Sequence, residues 1–223
     1  MRERGARRME GAMMTDVELL EALAVRSGCP KRYARYMGVP WNEQWCRLPP
    51  GISSWRGAPW ALTLYGKPGT GKSHAAALVL RRYLEGSVSK GQTSDLGVRW
   101  FYLPEVLEAV KAGFDRDPED PARRRAEQIK AAAVGVRLAI FDDLGAEVGE
   151  WGFALAQYWL EVRHSRSAAT VVTTNALSYD ELRRKMPRVA SRLSEGVDGG
   201  FFIHFDGPDR RSVAHSQHAE EVF

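Results

Sequence analysis

The chain has 223 residues, 44% hydrophobic and 27% charged, with 32 Lys and Arg against 28 Asp and Glu for a formal net charge of +4. That length and balance suit one soluble α/β domain with a full core and a short extension. Cys29 and Cys46 form no C-x-x-C pair, which argues against a disulfide framework or a zinc site, and no apolar run approaches membrane-spanning length.

Residues 1–13 carry Arg2, Arg4, Arg7 and Arg8 with few apolar anchors and read as a basic tail. Glu3 and Glu10 interrupt the basic run and no apolar core follows, which argues against a signal peptide, and a cytoplasmic protein is expected. From Thr15 a helix is predicted: Thr15 and Glu18 form a capping box, and Val17, Leu20, Leu23 and Ala24 share a face until Gly28. It either packs on the core or holds a partner. Between Cys29 and Trp60, Tyr33, Tyr36, Trp41, Trp45, Trp55 and Trp60 alternate with Pro30, Pro40, Pro49, Pro50 and Pro59, so little regular structure is expected. That segment is predicted to pack over the core, part of it walling an adenine pocket; base stacking on single-stranded nucleic acid is the alternative.

Gly66-Lys67-Pro68-Gly69-Thr70-Gly71-Lys72-Ser73 matches G-x-x-x-x-G-K-[ST]. Glycines lacking Cβ atoms let backbone N–H groups close around phosphate oxygens, Lys72 reaches the β- and γ-phosphates, and the Ser73 hydroxyl is placed to ligate Mg²⁺. The apolar run Ala61 to Tyr65 before it and the helix-forming Ser73 to Leu84 after it, ended by Gly86, favour this reading over a glycine-rich surface turn.

Val98 to Leu103 is the next predicted strand, and Pro104 opens a helix that ends near Gly113. After an acidic turn at 115–121, Pro121 starts a basic helix with Arg123, Arg124 and Arg125 that runs to Ala133. Val136 to Phe141 is the third strand, Trp151 to Arg163 a helix, and Ala168 to Thr174 the fourth strand, stopping at Asn175. Ser178 and Glu181 cap a helix to Lys185, Arg188 to Ser194 continues helically, and Gly200 to Phe205 is the fifth strand. Strands alternating with helices imply a parallel sheet covered on both faces, with ligand at the carboxyl ends of the strands. The cluster Arg183, Arg184, Lys185, Arg188 and Arg192 is compatible either with nucleic acid or with solvated helix faces.

Asp142 ends an apolar strand in the pattern of a magnesium-holding carboxylate, directly or through water, and Asp143 is placed to orient or deprotonate the attacking water. Asn175, at the end of the fourth strand, is placed to reach the γ-phosphate or that water.

Together these residues make the chain resemble the AAA+ ATPases of the DnaC/IstB type, which are replicative helicase loaders and transposition helper proteins. The resemblance runs from about Cys29 to Arg211. It is carried by Cys29-Pro30-Lys31-Arg32-Tyr33, Gly66 to Ser73, Phe101 to Leu107, Leu138 to Glu147, Thr173-Thr174-Asn175 and Arg188 to Leu193. It implies a P-loop NTPase with an AAA+ core: a five-stranded parallel sheet with helices on both faces and a reduced or absent helical lid. Residues 1–28 would be a basic tail and short helix, and 29–223 the ATPase domain. Gly66, Lys67, Pro68, Gly69, Thr70, Gly71, Lys72, Ser73 and His74 would hold ATP, and Ser73 with Asp142 the Mg²⁺. Lys72, Asp142 and Asp143 would serve hydrolysis, with Asn175 as the sensor 1 residue. Arg192, and after it Arg188, would be an arginine finger reaching a neighbouring subunit's ATP. Arg210 or Arg211 falls where a sensor 2-like residue would lie.

The function so implied is an ATP-dependent helicase loader that binds single-stranded DNA, forms a nucleotide-dependent homo-oligomer and places a replicative helicase, with hydrolysis to ADP ending that state. The alternatives are a transposition helper that delivers a transposase to target DNA, and a nucleotide-gated DNA-binding module with negligible turnover.

Overall fold

The computed structural model describes residues 7–9, 12–43, 46, 48–94, 96–145, 149–194 and 200–210. Within the basic N-terminal stretch, β1 (Arg7–Met9) pairs with β2 (Ala12–Met14) as an antiparallel ribbon, where the sequence suggested only a tail. The helix α1 (Asp16–Arg26) begins with the expected capping box: the Glu18 N–H donates to the Thr15 hydroxyl at 3.2 Å, and the Thr15 N–H donates to the Glu18 carboxylate at 2.7 Å. Leu19, Leu20, Leu23 and Ala24 form its buried face. Val17, assigned to that face from the sequence, is 42% exposed because Leu19 takes the inward position.

Five strands form one sheet: β3 (Ala61–Gly66), β4 (Val98–Tyr102), β5 (Leu138–Leu144), β6 (Thr170–Thr174) and β7 (Phe201–Phe205). Their order is β4-β5-β6-β3-β7 and every pairing is parallel. The chain leaves β3 inside the sheet, crosses to the edge at β4, walks back through β5 and β6, and then passes β3 to form β7. The crossover direction therefore reverses at β3, and in an open parallel sheet that reversal opens a ligand crevice beyond the strand ends.

The core has two layers, one on each sheet face, as residues alternating along each strand require. On one side α1 and the helix α4 (Lys72–Val88) pack Leu20, Leu23, Ala76, Leu80 and Leu84 near Leu62, Leu64 and Ile140. On the other lie α5 (Leu103–Lys111), α6 (Pro121–Gly135), α7 (Gly149–Ser165) and α9 (Pro187–Ser194), the last reached through α8 (Tyr179–Lys185). There Phe141 stacks between Phe101, at 5.3 Å, and Trp159, at 6.1 Å between ring centres. The helix α4 runs past Gly86, where the sequence suggested a stop. Glycine ends a helix by taking a left-handed φ, and Gly86 does not do so.

The proline- and tryptophan-rich segment covers the core as expected and still holds short helices: α2 (Lys31–Ala34), a 3₁₀ turn at Arg35–Met37 and α3 (Pro50–Ser54). Trp55 and Trp60 are buried, Tyr33 stacks on Trp100, and the Trp41 indole donates to the Glu85 carboxylate at 3.1 Å beneath the Arg81 guanidinium. Trp45 lies outside the described residues.

At the amino ends of the strands Arg163 is fully buried and takes no carboxylate partner among the described residues. Its guanidinium instead donates to the Thr170 hydroxyl at 2.8 Å and to the carbonyls of Ala169 at 2.6 Å, Val136 at 2.9 Å and Ala133 at 3.3 Å. One planar fork thus joins the end of α6, the approach to β5 and the start of β6. Burial lowers its pKa to about 10, so it stays charged at neutral pH. Arg163→Met keeps the stem but orphans those carbonyls, and urea unfolding is expected to show a loss of about 3 kcal/mol. An unchanged unfolding midpoint would remove Arg163 from the framework.

Candidate nucleotide site

The loop between β3 and α4 has the shape its glycines permit. Gly69 and Gly71 have φ of 79° and 101°, in the left-handed region, and Gly71 is the residue from which α4 starts. The Thr70 hydroxyl donates to the Lys67 carbonyl at 2.9 Å. Lys72 is buried, and its ammonium donates to the Gly66 and Lys67 carbonyls at 2.8 and 2.7 Å. The lysine is thereby held inside the turn of the loop at the N-terminus of a long helix, where backbone N–H groups and the helix dipole favour anions.

At the carboxyl end of β5 the Ser73 hydroxyl donates to Asp142 Oδ1 at 2.7 Å, which joins that strand to the start of α4. The Thr173 hydroxyl donates to the same oxygen at 2.6 Å and accepts the Asp143 N–H at 2.9 Å. The register explains this double role. Phe141 pairs with Val172 and Leu144 with Thr174, so Asp142 and Asp143 together face the single residue Thr173. This is a β-bulge, a device that re-aims side chains at the end of a strand. Asp143 takes a φ of 67° within it, which aspartate tolerates better than most residues. Its carboxylate then receives Asn175 Nδ2 at 2.7 Å. The Thr174 hydroxyl closes the bulge by donating to the Leu144 carbonyl at 2.7 Å.

Lys72, Ser73, Asp142, Asp143 and Asn175 therefore converge at the strand ends. Arg188 and Arg192 do not join that cluster within the chain. Both are exposed on the outer side of α9, whose Val189, Ala190 and Leu193 face inward against α7, β3 and β7. His74, on the first turn of α4, meets the edge of Tyr36 at 4.2 Å between ring centres, which brings the aromatic N-terminal segment beside the loop. Arg210 reaches the loop. Arg211, Ala146, Glu147 and any lid beyond Arg210 lie outside the described residues.

Two residues at the site carried no assigned role in the sequence reading. Thr173, which the sequence marked as a strand residue within the Thr173-Thr174-Asn175 run, fixes both aspartates; an unbroken strand would have faced it to only one of them. Arg32 lies close enough to Asp142 and Tyr102 to favour their ionised forms. Cys29, also near Asp142, has its thiol pushed up to about 12 by burial and stays neutral.

Mg²⁺ prefers hard oxygen ligands and takes only one or two from the protein when phosphates supply others. Ser73 Oγ and Asp142 Oδ1 form such a pair, and the described residues contain no denser group of His, Cys, Asp and Glu. The donor set fits that ion. Burial is the main force raising the pKa of Asp142; the Thr173 and Ser73 hydroxyls pull it down and Asp143 pushes it up. Asp143 is also raised by burial, against the opposing charge of Lys72. A carboxyl whose folded pKa is raised stabilises the fold below the ordinary carboxylate range and loses that contribution as pH rises through the folded pKa. In buffer with a metal chelator, Asp142→Asn is accordingly expected to raise the melting temperature near neutral pH, with the gain shrinking as pH falls toward about 4. A melting temperature lowered at every pH would contradict the electrostatic account.

No family model matches this sequence, and no curated protein matches it. Solved structures do. The crystal structure of the DnaC helicase loader has a TM-score of 0.51 at 20% identity, covering 70% of this chain and 84% of that one. The structure of DnaI has a TM-score of 0.53 at 18% identity, over 82% of this chain and 94% of its own. A putative primosome component from Streptococcus pyogenes serotype M3 has a TM-score of 0.53 at 22% identity, covering 85% and 98%. What the chain shares with them at these identities is the fold: a five-stranded parallel sheet with helices on both faces. Among the described residues no helix is long and apolar enough to cross a membrane.

Proposed function

We propose that the chain is an ATP-dependent helicase loader that hydrolyses ATP to ADP at the Lys72–Asp142 site and uses the nucleotide to control assembly on single-stranded DNA. The observation that carries the nucleotide part is the Ser73–Asp142 hydrogen bond at 2.7 Å, because it puts the phosphate loop and the strand-end carboxylate at one point. The loader part is supported by the likeness of fold to the DnaC helicase loader and DnaI.

In this reading the loop from Gly66 to His74 surrounds the phosphates, and Lys72 leaves the loop carbonyls to pair with the β- and γ-oxygens. Ser73 and Asp142 hold Mg²⁺, which when bound offsets the charge that develops on the phosphates. Asp143 and Asn175, already hydrogen-bonded to each other, orient the attacking water between them. Arg192, exposed on α9, serves the ATP of a second copy. A guanidinium supplied from outside lets hydrolysis wait for assembly.

Lys72→Ala is expected to abolish ATP binding in a calorimetric titration. Arg192→Ala should bind ATP with near-normal affinity while hydrolysis under assembling conditions slows by about 10³. Normal hydrolysis by Arg192→Ala in the assembled state would remove it from the site. Light scattering with ATP, ADP or no nucleotide, each with and without a single-stranded oligonucleotide, should show the largest species with ATP and DNA together. Affinity capture from the source cells is expected to recover a ring helicase; recovery of a transposase instead would overturn the loader reading and leave the ATPase intact.

A further inference from the structure

The strand β7 ends at Phe205, the register partner of Gly66 at the mouth of the phosphate loop. The chain then turns at Gly207 and Pro208 and comes back onto that loop. The Arg210 N–H donates to the Gly69 carbonyl at 3.0 Å. The Asp209 carboxylate occupies the space that a Cβ on Gly69 would need, and the Arg210 guanidinium carbon lies 3.4 Å from where a Cβ on Gly71 would be. Two opposite charges on successive residues are thus laid along the phosphate cradle. The carboxylate has a physical reason to be there, since the loop N–H groups and the N-terminus of α4 favour negative charge. Phosphates are drawn by the same field.

We propose that Asp209 is a built-in anionic competitor for the phosphate loop, which sets nucleotide affinity and is displaced when a nucleoside triphosphate enters. Arg210 then faces the phosphates in its place. The inference rests on the phosphate-loop reading above. Its consequence is a difference in sign between neighbours: removing the carboxylate tightens nucleotide binding, and removing the guanidinium weakens it. Asp209 is only half-buried, so salt reaches its charge and screens the competition.

The test is calorimetric titration of Mg-ATP into the full-length wild type, D209N, D209A, R210A and K72A, at low and at high salt. Both Asp209 variants are expected to bind on the order of tenfold more tightly at low salt, as loss of one close like-charge contact implies, with the gap closing at high salt. R210A should bind more weakly. Equal or weaker binding by both Asp209 variants would overturn the proposal, and so would a gain that salt leaves unchanged, which a merely steric role would produce. If the wild type binds and K72A does not, the phosphate-loop reading stands whatever Asp209 does. If neither the wild type nor any Asp209 variant binds, that reading fails and the competitor with it.

Discussion

A carboxylate that is 2% exposed has to be satisfied by its neighbours, and at Asp142 this requirement ties three elements to one atom. Oδ1 of Asp142 accepts the Ser73 hydroxyl from the start of α4 and the Thr173 hydroxyl from β6. The end of β5, the end of β6 and the first turn of the loop helix are therefore fixed relative to one another by two hydroxyl protons. The same contact keeps the raised pKa of Asp142 from rising further, since both hydroxyls favour its ionised form. A buried carboxylate so arranged costs the fold stability.

The rest of the molecule divides along the strand direction. At the amino ends the demands are those of stability: Arg163 gathers carbonyls from the end of α6 and the approaches to β5 and β6, with no acid partner among the described residues. At the carboxyl ends the polar groups face one another across the crevice, and burial raises the pKa of two of them, Asp142 and Asp143, from the ordinary aspartate value. The two apolar layers between these ends keep them apart and rigid. Phe141 shows the link, because the residue that stacks between Phe101 and Trp159 immediately precedes Asp142.

Around the crevice the chain supplies walls from distant parts of its sequence. The N-terminal segment brings Tyr36 against His74, and the segment after β7 brings Asp209 and Arg210 onto Gly69 and Gly71. These contacts surround the loop with aromatic, anionic and cationic groups, whereas Arg188 and Arg192 look outward.

Much of this was legible in the sequence, for identifiable physical reasons. Local rules sufficed for the phosphate loop, since glycine takes the left-handed φ of Gly69 and Gly71 without the cost of a Cβ, and for the α1 cap, since Thr15 and Glu18 satisfy each other within one turn. Alternation of strand and helix was enough for the parallel sheet. Local rules failed where a partner from elsewhere decided the outcome. Ser178 accepts the Glu181 N–H as expected, but the Glu181 carboxylate reaches the Leu177 N–H and Lys185 and leaves the reciprocal bond unmade. The aspartate pair was visible as two residues at a strand end. That they form a bulge against a single threonine, with Asp143 turned left-handed toward Asn175, depends on the register between β5 and β6. Register is set by how two whole strands pack between the core layers, and no residue carries that information alone. The sequence by itself determined which groups could bind phosphate and metal; the tertiary structure decided that they meet, and placed a carboxylate from the far end of the chain among them.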